Sequence, residues 1–277
     1  MKLHLLHKNL SSNVLFSSFS GSEFLKLWHY HPELELVYIV SGKGTLYVGD
    51  FIGSFESDNI FLIGSNIPHM FDSSPTFEGD STSIVVHLNY DFLKKLYQIG
   101  EEFTYINSLL TLSNRGLKFN TTESEKFKKL FFELSETSPD EKVIQTIKIL
   151  YRLSLIENLA KLGSIAWLEQ VKITDERMNR VIEYIMMNFK SEIHLDDVAE
   201  MIAMNKTAFC RYFKQNTNRT FVNFLNEVRI NYACKLLKEK NTINSVSMAC
   251  YNSGFNSLSY FSRIFKKNIG CPPTDFR

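Results

Sequence analysis

A six-residue pattern that occurs twice near the C-terminus constrains the fold more than any other feature of this 277-residue sequence. Phe209–Lys214 is Phe-Cys-Arg-Tyr-Phe-Lys, and 52 residues later Phe261–Lys266 is Phe-Ser-Arg-Ile-Phe-Lys. A repeat of this period indicates one structural unit used twice. The two Phe of each copy, at i and i+4, share one face of a helix, whereas the Arg between them points away. Each copy therefore predicts a helix that buries its Phe pair.

A short apolar helix is predicted before each copy. Its apolar face consists of Leu195, Val198, Ala199 and Ile202 in the first unit, and of Val246, Ala249 and Cys250 in the second. Asn205 is expected to cap the next helix of the first unit, and Asn256 or Ser257 that of the second, after a turn at Gly254. One long helix, over residues 221–239, is predicted to connect the two units. The pattern is that of a helix-turn-helix used twice.

The helix faces opposite the Phe pairs are available to a partner. They carry Thr207, Cys210, Arg211 and Lys214 in the first unit, and Ser259, Ser262, Arg263 and Lys266 in the second. In a helix-turn-helix the second helix enters the major groove, where Arg can bond to guanine and Ser or Thr can contact base edges. Lys214, Lys266 and Lys267 lie further along and would contact phosphates. A single copy would be better explained as an ordinary amphipathic helix with solvated charges, but two copies, each after a small-residue helix and a capped turn, favour DNA recognition.

Charge is distributed unevenly along the chain. Residues 172–277 hold 16 Lys and Arg against 10 Asp and Glu, whereas residues 1–171 hold 15 against 20. This difference indicates that only the C-terminal part meets a polyanion.

Four cysteines, none in a C-x-x-C pair, argue against a zinc or disulfide framework. The first residues lack the pattern of a signal peptide, and no apolar stretch has transmembrane length. We therefore expect a cytoplasmic protein with reduced thiols and no membrane partner.

The second unit also resembles a known family. Ser245–Lys267 is similar to the signature of the AraC/XylS bacterial transcription regulators, Gly270–Arg277 to their closing motif, and Ala233–Leu237 with Arg229 to their linker helix. The resemblance covers about the last 100 residues. It implies that Thr207, Cys210 and Arg211 contact bases in the first unit, and that Leu258, Ser259, Ser262 and Arg263 do so in the second.

Roughly the first 90 residues predict short strands, at 34–40, 45–48, 59–63 and 83–88, which indicate a small barrel or sandwich. His29, His31 and Glu35 share one face of an extended chain, and His69 follows on a neighbouring strand. Three imidazoles and one carboxylate suit zinc, nickel, iron or manganese. This H-x-H-x3-E spacing resembles the first cupin motif, and Ile67–His69 the second. The same residues, with Tyr38, could instead form a ligand pocket without metal, as cupin-like sensor domains do.

Residues 91–170 predict helices, including a long one over about 141–162. Its two apolar stripes are Val143, Ile147 and Leu150, and Ile149, Leu153 and Ile156. A helix that is apolar on two faces packs on two sides. Burial against the barrel and a homodimer surface account for the stripes equally well.

The sequence thus predicts an α+β protein of two domains. A cupin-like barrel (1–90) carries a helical dimerisation segment (91–170), and an all-α double helix-turn-helix domain follows (171–277). The function expected is sequence-specific binding of double-stranded promoter DNA under control of a small-molecule effector, in a homodimer that contacts RNA polymerase if it is an activator. A metal-dependent cupin oxygenase or isomerase fused to a DNA-binding domain is the alternative, and a constitutive architectural DNA binder is a third class. We expect no enzymatic activity and no obligatory cofactor.

Overall fold

The computed structural model describes residues 4–6, 13–22, 24, 27–74, 77–121, 123–163, 175–217, 219–238 and 245–276. The chain divides into two compact units. One comprises His4–Gly49 and Ser54–Ser164, and the other consists mainly of the part that follows. The predicted division at residues 90 and 170 remains a prediction, and its second boundary lies outside the described residues.

Short strands make up the first part of the N-terminal unit. They are β1 His4–Leu5, β2 Val14–Gly21, β3 His29–Tyr30, β4 Leu34–Ser41, β5 Lys43–Val48, β6 Phe51–Glu56, β7 Ile60–Ile63, β8 His69–Ser73 and β9 Ser81–Leu88, followed later by β10 Leu117–Phe119 and β11 Leu159–Lys161. One sheet has the order β1-β3-β8-β5-β6 and the other β11-β10-β7-β4-β9-β2. All four predicted strands are present, as β4, β5, β7 and β9.

The central strand β4 is buried on both of its faces. Because side chains alternate along a strand, Leu36 and Tyr38 point to one core, whereas Val37 and Ile39 point to another. The second core also contains residues of β5 and β6, among them Leu46. It therefore lies between the two sheets, and the first core lies on the outer face of the six-stranded sheet.

Helices cover that outer face. They are α1 Tyr90–Ile99, a 3-10 turn at Glu101–Phe103, α2 Thr104–Ser113, α3 Ser124–Glu136 and α4 Pro139–Ser154. Ser138 caps the start of helix α4: its side-chain hydroxyl accepts a hydrogen bond from the Glu141 amide at 3.4 Å, and Pro139 lies in the first turn.

Helix α4 is shorter than the sequence predicts. It ends at Ser154 instead of continuing to about residue 162, because Leu159–Lys161 pairs as β11 with Leu117–Phe119 of β10. Both apolar stripes of α4 pack on the core under the six-stranded sheet. Burial therefore accounts for both stripes, and dimerisation remains a prediction.

The C-terminal unit is helical in its described parts. Its helices are α5 Glu176–Asn188, α6 Leu195–Met201, α7 Lys206–Thr217, α8 Phe221–Lys238, α9 Val246–Asn252 and α10 Leu258–Ile269. Helices α7 and α10 are both 12 residues long and begin 52 residues apart, as the repeat predicts. None of the helices in the described parts of the chain is long and apolar enough to cross a membrane.

Candidate functional site

Helix α7 buries its Phe pair and exposes the predicted partner face. Phe209 and Phe213 are fully buried, and their rings each lie 5.5 Å from that of Phe221 on α8. The predicted contact residues Thr207, Cys210, Arg211 and Lys214 are all exposed. The helix contains no Asp or Glu, so the exposed face is basic.

Helix α10 repeats this arrangement. Phe261 and Phe265 are fully buried. The predicted contact residues Leu258, Ser259, Arg263, Lys266 and Lys267 are exposed, and Ser262 is partly buried. No acidic residue occurs in this helix either.

The side chain of Arg263 is held in place by its neighbours. Its guanidinium carbon lies 5.4 Å from the centre of the Tyr260 ring, a cation–π contact. The Tyr260 hydroxyl in turn accepts a hydrogen bond from the Asn226 side-chain amide on α8, at 2.8 Å. The Arg263 side chain therefore packs on the Tyr260 ring, and the hydrogen bond from Asn226 links that ring to the connecting helix α8.

The two turns before α7 and α10 have the same hydrogen bonds. Ala203 (φ 56°) and Gly254 (φ 87°) both adopt the left-handed conformation, and each donates its amide to the carbonyl three residues earlier. The N-caps also correspond. The Asn205 side chain accepts a hydrogen bond from the Ala208 amide, and the Ser257 side chain accepts one from the Tyr260 amide. Of the two caps predicted for α10, the structure has Ser257.

The predicted imidazole cluster of the N-terminal unit comes together around Glu35. His31 Nε2 lies 2.8 Å and His69 Nε2 3.2 Å from the same carboxylate oxygen, Oε2. Four residues each contribute one atom that could bind a metal, and these four atoms all lie within 4.8 Å of one another; the residues are His29, His31, Glu35 and His69. The four residues come from strands β3, β4 and β8 and the turn after β3, so only the tertiary structure makes them neighbours.

His87 is a member of this cluster that the sequence did not single out. It stands opposite Glu35 in the β4–β9 register, and its Nε2 lies 3.2 Å from Glu35 Oε2. The contact is not aligned as a hydrogen bond, and both ring nitrogens are buried without a hydrogen-bond partner in the described part of the chain. The alternation Ser83-Val85-His87 along a predicted strand was the available signal.

Backbone carbonyls fix the orientation of three of the imidazoles. The Nδ1 atoms of His29, His31 and His69 lie 2.8, 3.1 and 2.8 Å from the carbonyl oxygens of Leu27, Glu33 and Ile67. A carbonyl only accepts, so each Nδ1 carries a proton, and a ring without a second proton has its lone pair on Nε2. Metal-binding histidines are typically held in this way by a second hydrogen bond.

The cluster therefore fits a divalent metal ion. Without a second proton on the rings, the Nε2 lone pairs of His31 and His69 would face the Glu35 carboxylate, which is also only an acceptor. Such a contact between acceptors is stabilised by a cation between them, either a second proton on the rings or a metal ion. Burial and the neighbouring His69 lower the pKa of the His29 imidazole to about 3, which keeps it neutral as a ligand must be. Burial by itself raises the pKa of Glu35, but the charge of His69 and the contacts of His31, His69 and His87 outweigh it and hold that pKa well below its usual value.

A cavity of about 190 Å³ adjoins the cluster. His29, Glu35 and His87 line its polar side, and Phe24, Phe71 and Val85 are among its apolar walls. Tyr38, predicted as a pocket residue, is not in its lining. The prediction is wrong because Tyr38 stands three positions from Glu35 and so points to the opposite face of β4, where it stacks on Phe131 at 4.8 Å and donates to Asp58. His31 and His69 contact Glu35 but do not line the cavity.

Comparison with known proteins agrees with the helical repeat. A family model described as a helix-turn-helix domain matches residues 198–277, which include both repeat copies. YdeC of Bacillus subtilis, an uncharacterised HTH-type transcriptional regulator, is 24% identical over 258 residues, which cover 90% of this chain and 85% of that protein. The HTH-type transcriptional activator RhaR of Mannheimia succiniciproducens is 25% identical over 260 residues, which cover 90% and 86%.

A solved structure of a probable AraC family transcriptional regulator from Rhodopseudomonas palustris is 22% identical and covers 37% of this chain and 94% of that one. The TM-score between the two structures is 0.35. The sequence matches span both units, and the signature at Ser245–Lys267 falls inside the helix-turn-helix match. The chain is therefore similar to HTH-type transcriptional regulators over most of its length, and its C-terminal part contains a helix-turn-helix domain.

Proposed function

We propose that helices α7 and α10 are the DNA-recognition helices of this regulator, and that the N-terminal unit is the sensor that controls them. The observation that carries the proposal is the repeated basic face: two equal helices expose Arg and Lys, bury a Phe pair and lack acidic residues. The pairs α6–α7 and α9–α10 are then two helix-turn-helix units, each with its second helix in the major groove.

The position of each side chain along its helix supports a specific role in DNA binding. Thr207, Cys210 and Arg211 lie in the first half of α7 and would contact base edges, while Lys214 in its last turns would contact a phosphate. In α10 the corresponding base contacts are Leu258, Ser259, Ser262 and Arg263, and the phosphate contacts are Lys266 and Lys267. Two helices on one chain would enter successive major grooves about 34 Å apart.

The N-terminal unit has the features of a cupin-like sensor. Two sheets enclose a core, and a cavity with a polar side adjoins that core. We propose the domain limits 1–90, 91–170 and 171–277 for the barrel, the helical segment and the DNA-binding domain. A bound effector would shift the equilibrium between states of different DNA affinity.

Helix α4 offers a surface for homodimerisation. Ile144 and Tyr151 on this helix and Leu155 immediately after its last residue are 70%, 45% and 51% exposed, although they are large and apolar. Their spacing of seven and four residues places them along one face of the helix. In a dimer each promoter would be contacted by four recognition helices, and an activator would also contact RNA polymerase.

The test compares Arg263→Ala with Lys266→Ala. The DNA site is first selected from random sequence with the purified full-length protein, and affinities are then measured for the selected and for scrambled DNA. Loss of a bidentate base contact in Arg263→Ala should weaken binding to the selected site by about 1–3 kcal/mol and relax preference at one base pair. Lys266→Ala should weaken binding to the selected and to the scrambled DNA equally. It should also reduce the number of counterions released on binding, read from the salt dependence of the affinity, by about one.

Lys129→Ala is the matched control, because Lys129 is exposed on α3 in the other unit. Equal loss on selected and scrambled DNA for Arg263→Ala would contradict base contact by this residue. The same assay repeated over a panel of small molecules tests the sensor. Affinity that never responds would instead favour a constitutive architectural DNA binder.

Metal-dependent chemistry is the second candidate function of the N-terminal unit. It is favoured by the convergence of ligand atoms from His29, His31, Glu35 and His69. These residues would hold the ion, which when bound would act as a Lewis acid toward a molecule in the adjoining cavity. Metal analysis of the purified protein decides: one Fe, Mn, Ni or Zn per chain, lost in Glu35→Gln and His69→Ala, would support metal binding. A protein that neither contains nor binds these metals would leave only the binding pocket.

A further inference from the structure

We infer that Tyr260 is a positioning residue for Arg263, and that it makes the second helix-turn-helix unit stricter than the first in the base pair that its arginine accepts. The inference rests on the proposed function, in which Arg263 and Arg211 contact bases. It depends on three features of the C-terminal unit: the contact between Arg263 and Tyr260, the contacts that hold the Tyr260 ring, and the residue at the same position in the first unit.

The Arg263 guanidinium lies over an aromatic ring of its own helix. Tyr260 precedes Arg263 by three residues, a spacing that brings two side chains together on one face of a helix. The guanidinium carbon lies 5.4 Å from the centre of the ring. A cation–π contact needs no hydrogen-bond acceptor, so it leaves the N–H groups of the arginine for other partners. Because Arg263 is exposed, those groups are available to the edge of a base.

The Tyr260 ring is itself held by two neighbours. Its hydroxyl accepts a hydrogen bond of 2.8 Å from the side-chain amide of Asn226 on α8, and Asn226 is only 5% exposed. The centre of the ring also lies 6.1 Å from that of Phe255, a buried residue in the turn before α10. The connecting helix and the turn therefore both restrain the ring, and a restrained ring limits the conformations of the guanidinium that lies over it.

The first unit has an alanine where the second has this ring. The 52-residue offset that aligns Arg211 with Arg263 places Ala208 at the position of Tyr260. Ala208 is exposed, as Arg211 is, and its side chain is a single methyl group. The two arginines thus occupy equivalent positions on their helices, but only Arg263 has a tyrosine three residues before it.

This difference changes how much conformational freedom each arginine loses on DNA. Arginine has many rotamers, and ordering such a side chain at an interface opposes binding. Arg263 is restricted before DNA binds, so less of that cost remains. The same restriction hinders its guanidinium from turning to another acceptor when the base pair is wrong. Arg211 keeps that freedom, and we therefore expect it to tolerate more base pairs than Arg263.

The experiment measures base preference at two base pairs of the selected DNA site with the full-length protein. These base pairs are the ones at which Arg263→Ala and Arg211→Ala relax the preference. Preference is the affinity for DNA with the selected base pair divided by the mean affinity for DNAs with the other three.

Two variants and a control report on the ring. Tyr260→Leu removes the ring but keeps an apolar side chain beside Phe255, whereas Tyr260→Phe keeps the ring and loses the hydrogen bond from Asn226. Tyr105→Leu is the matched control, because Tyr105 is 59% exposed on α2 in the other unit. Thermal melting checks that each variant is folded, and Tyr260→Phe alone decides if Tyr260→Leu is not.

In the wild-type protein, preference should be higher at the Arg263 base pair than at the Arg211 base pair. Tyr260→Leu should lower the preference at the Arg263 base pair about twofold to fivefold, which corresponds to about 0.5–1 kcal/mol for an exposed cation–π contact. Tyr260→Phe should lower it by less, and neither variant should alter the preference at the Arg211 base pair. Tyr105→Leu should alter neither preference.

Three results would overturn the inference. One is a stricter preference at the Arg211 base pair than at the Arg263 base pair in the wild-type protein. Another is an unchanged preference at the Arg263 base pair in the folded Tyr260 variants. The third is equal weakening of all DNAs by these variants, because Tyr260 would then only support the fold of the unit.

The arginine variants separate failure of the inference from failure of the proposed function. If Arg263→Ala weakens binding to selected and scrambled DNA equally, the proposed base contact fails and the inference fails with it. If Arg263→Ala relaxes preference at one base pair while the Tyr260 variants leave that preference unchanged, the proposed function stands and only the inference is overturned.

Discussion

Two glycines in the C-terminal unit share a backbone conformation but differ in their surroundings. Gly254 has φ 87° and Gly270 has φ 93°, both in the left-handed region. A Cβ at Gly270 would meet no heavy atom within 4 Å, whereas one at Gly254 would lie 2.3 Å from the carbonyl oxygen of Phe189. The pair therefore separates backbone strain from steric conflict.

The expected free-energy costs follow from these contacts. In Gly270→Ala the left-handed conformation costs about 1–2 kcal/mol, partly offset by the lower entropy of the unfolded chain, so we expect about 1 kcal/mol. In Gly254→Ala the Phe189 carbonyl must also move. It accepts a 2.7 Å hydrogen bond from Arg229 Nε, and loss of such a charged bond costs about 1.5–3 kcal/mol. We therefore expect about 3 kcal/mol in total.

Amide hydrogen exchange of α9 and α10 in the full-length protein measures both variants. A cost of about 3 kcal/mol should speed exchange roughly 100-fold in Gly254→Ala, against roughly fivefold in Gly270→Ala. Exchange in the N-terminal sheets should be unchanged in both. Equal acceleration in the two variants would refute the reasoning, because the clash with Phe189 would then contribute nothing.

Further predictions concern individual side chains. Cys210 should react with a thiol reagent in the native protein and be protected by the selected DNA, whereas Cys250, whose thiol pKa is raised by burial, should react only after unfolding. Ser257→Ala removes the cap of α10 and should lower the free energy of unfolding by about 1 kcal/mol in urea titrations, while Ser259→Ala on the exposed face should leave it unchanged and weaken DNA binding. Tyr38→Phe removes a buried hydroxyl that donates to a carboxylate, and it should cost about 1.5–3 kcal/mol in the same titrations; an unchanged midpoint would contradict the importance of that bond.

Local patterns were sufficient for the C-terminal unit. The Phe pairs, the cap residues and the turn at Gly254 all lie within a few residues of the elements they define, so helical periodicity located α6, α7, α9 and α10. Predictions failed where the partner was distant in sequence. Leu159–Lys161 continued an apolar helical pattern, yet pairing with β10 made it a strand.

The N-terminal site shows the same division. The spacing of His29, His31 and Glu35 indicated a cluster, but the fifth member, His87, is 52 residues from Glu35 and joins it only through the β4–β9 register. Tyr38 was placed in the pocket because it is near in sequence, and the alternation of side chains along β4 directs it to the other core.

The sequence alone determined the duplicated helical unit, its buried Phe pairs, its basic exposed faces and the resemblance to the AraC/XylS regulators, because each depends on neighbouring residues and on a repeat visible in one dimension. Only the tertiary structure decided which strands face each other and which side chains enclose the cavity. It did so because strand register is set by long-range pairing, and a shift of one residue moves every side chain to the opposite face.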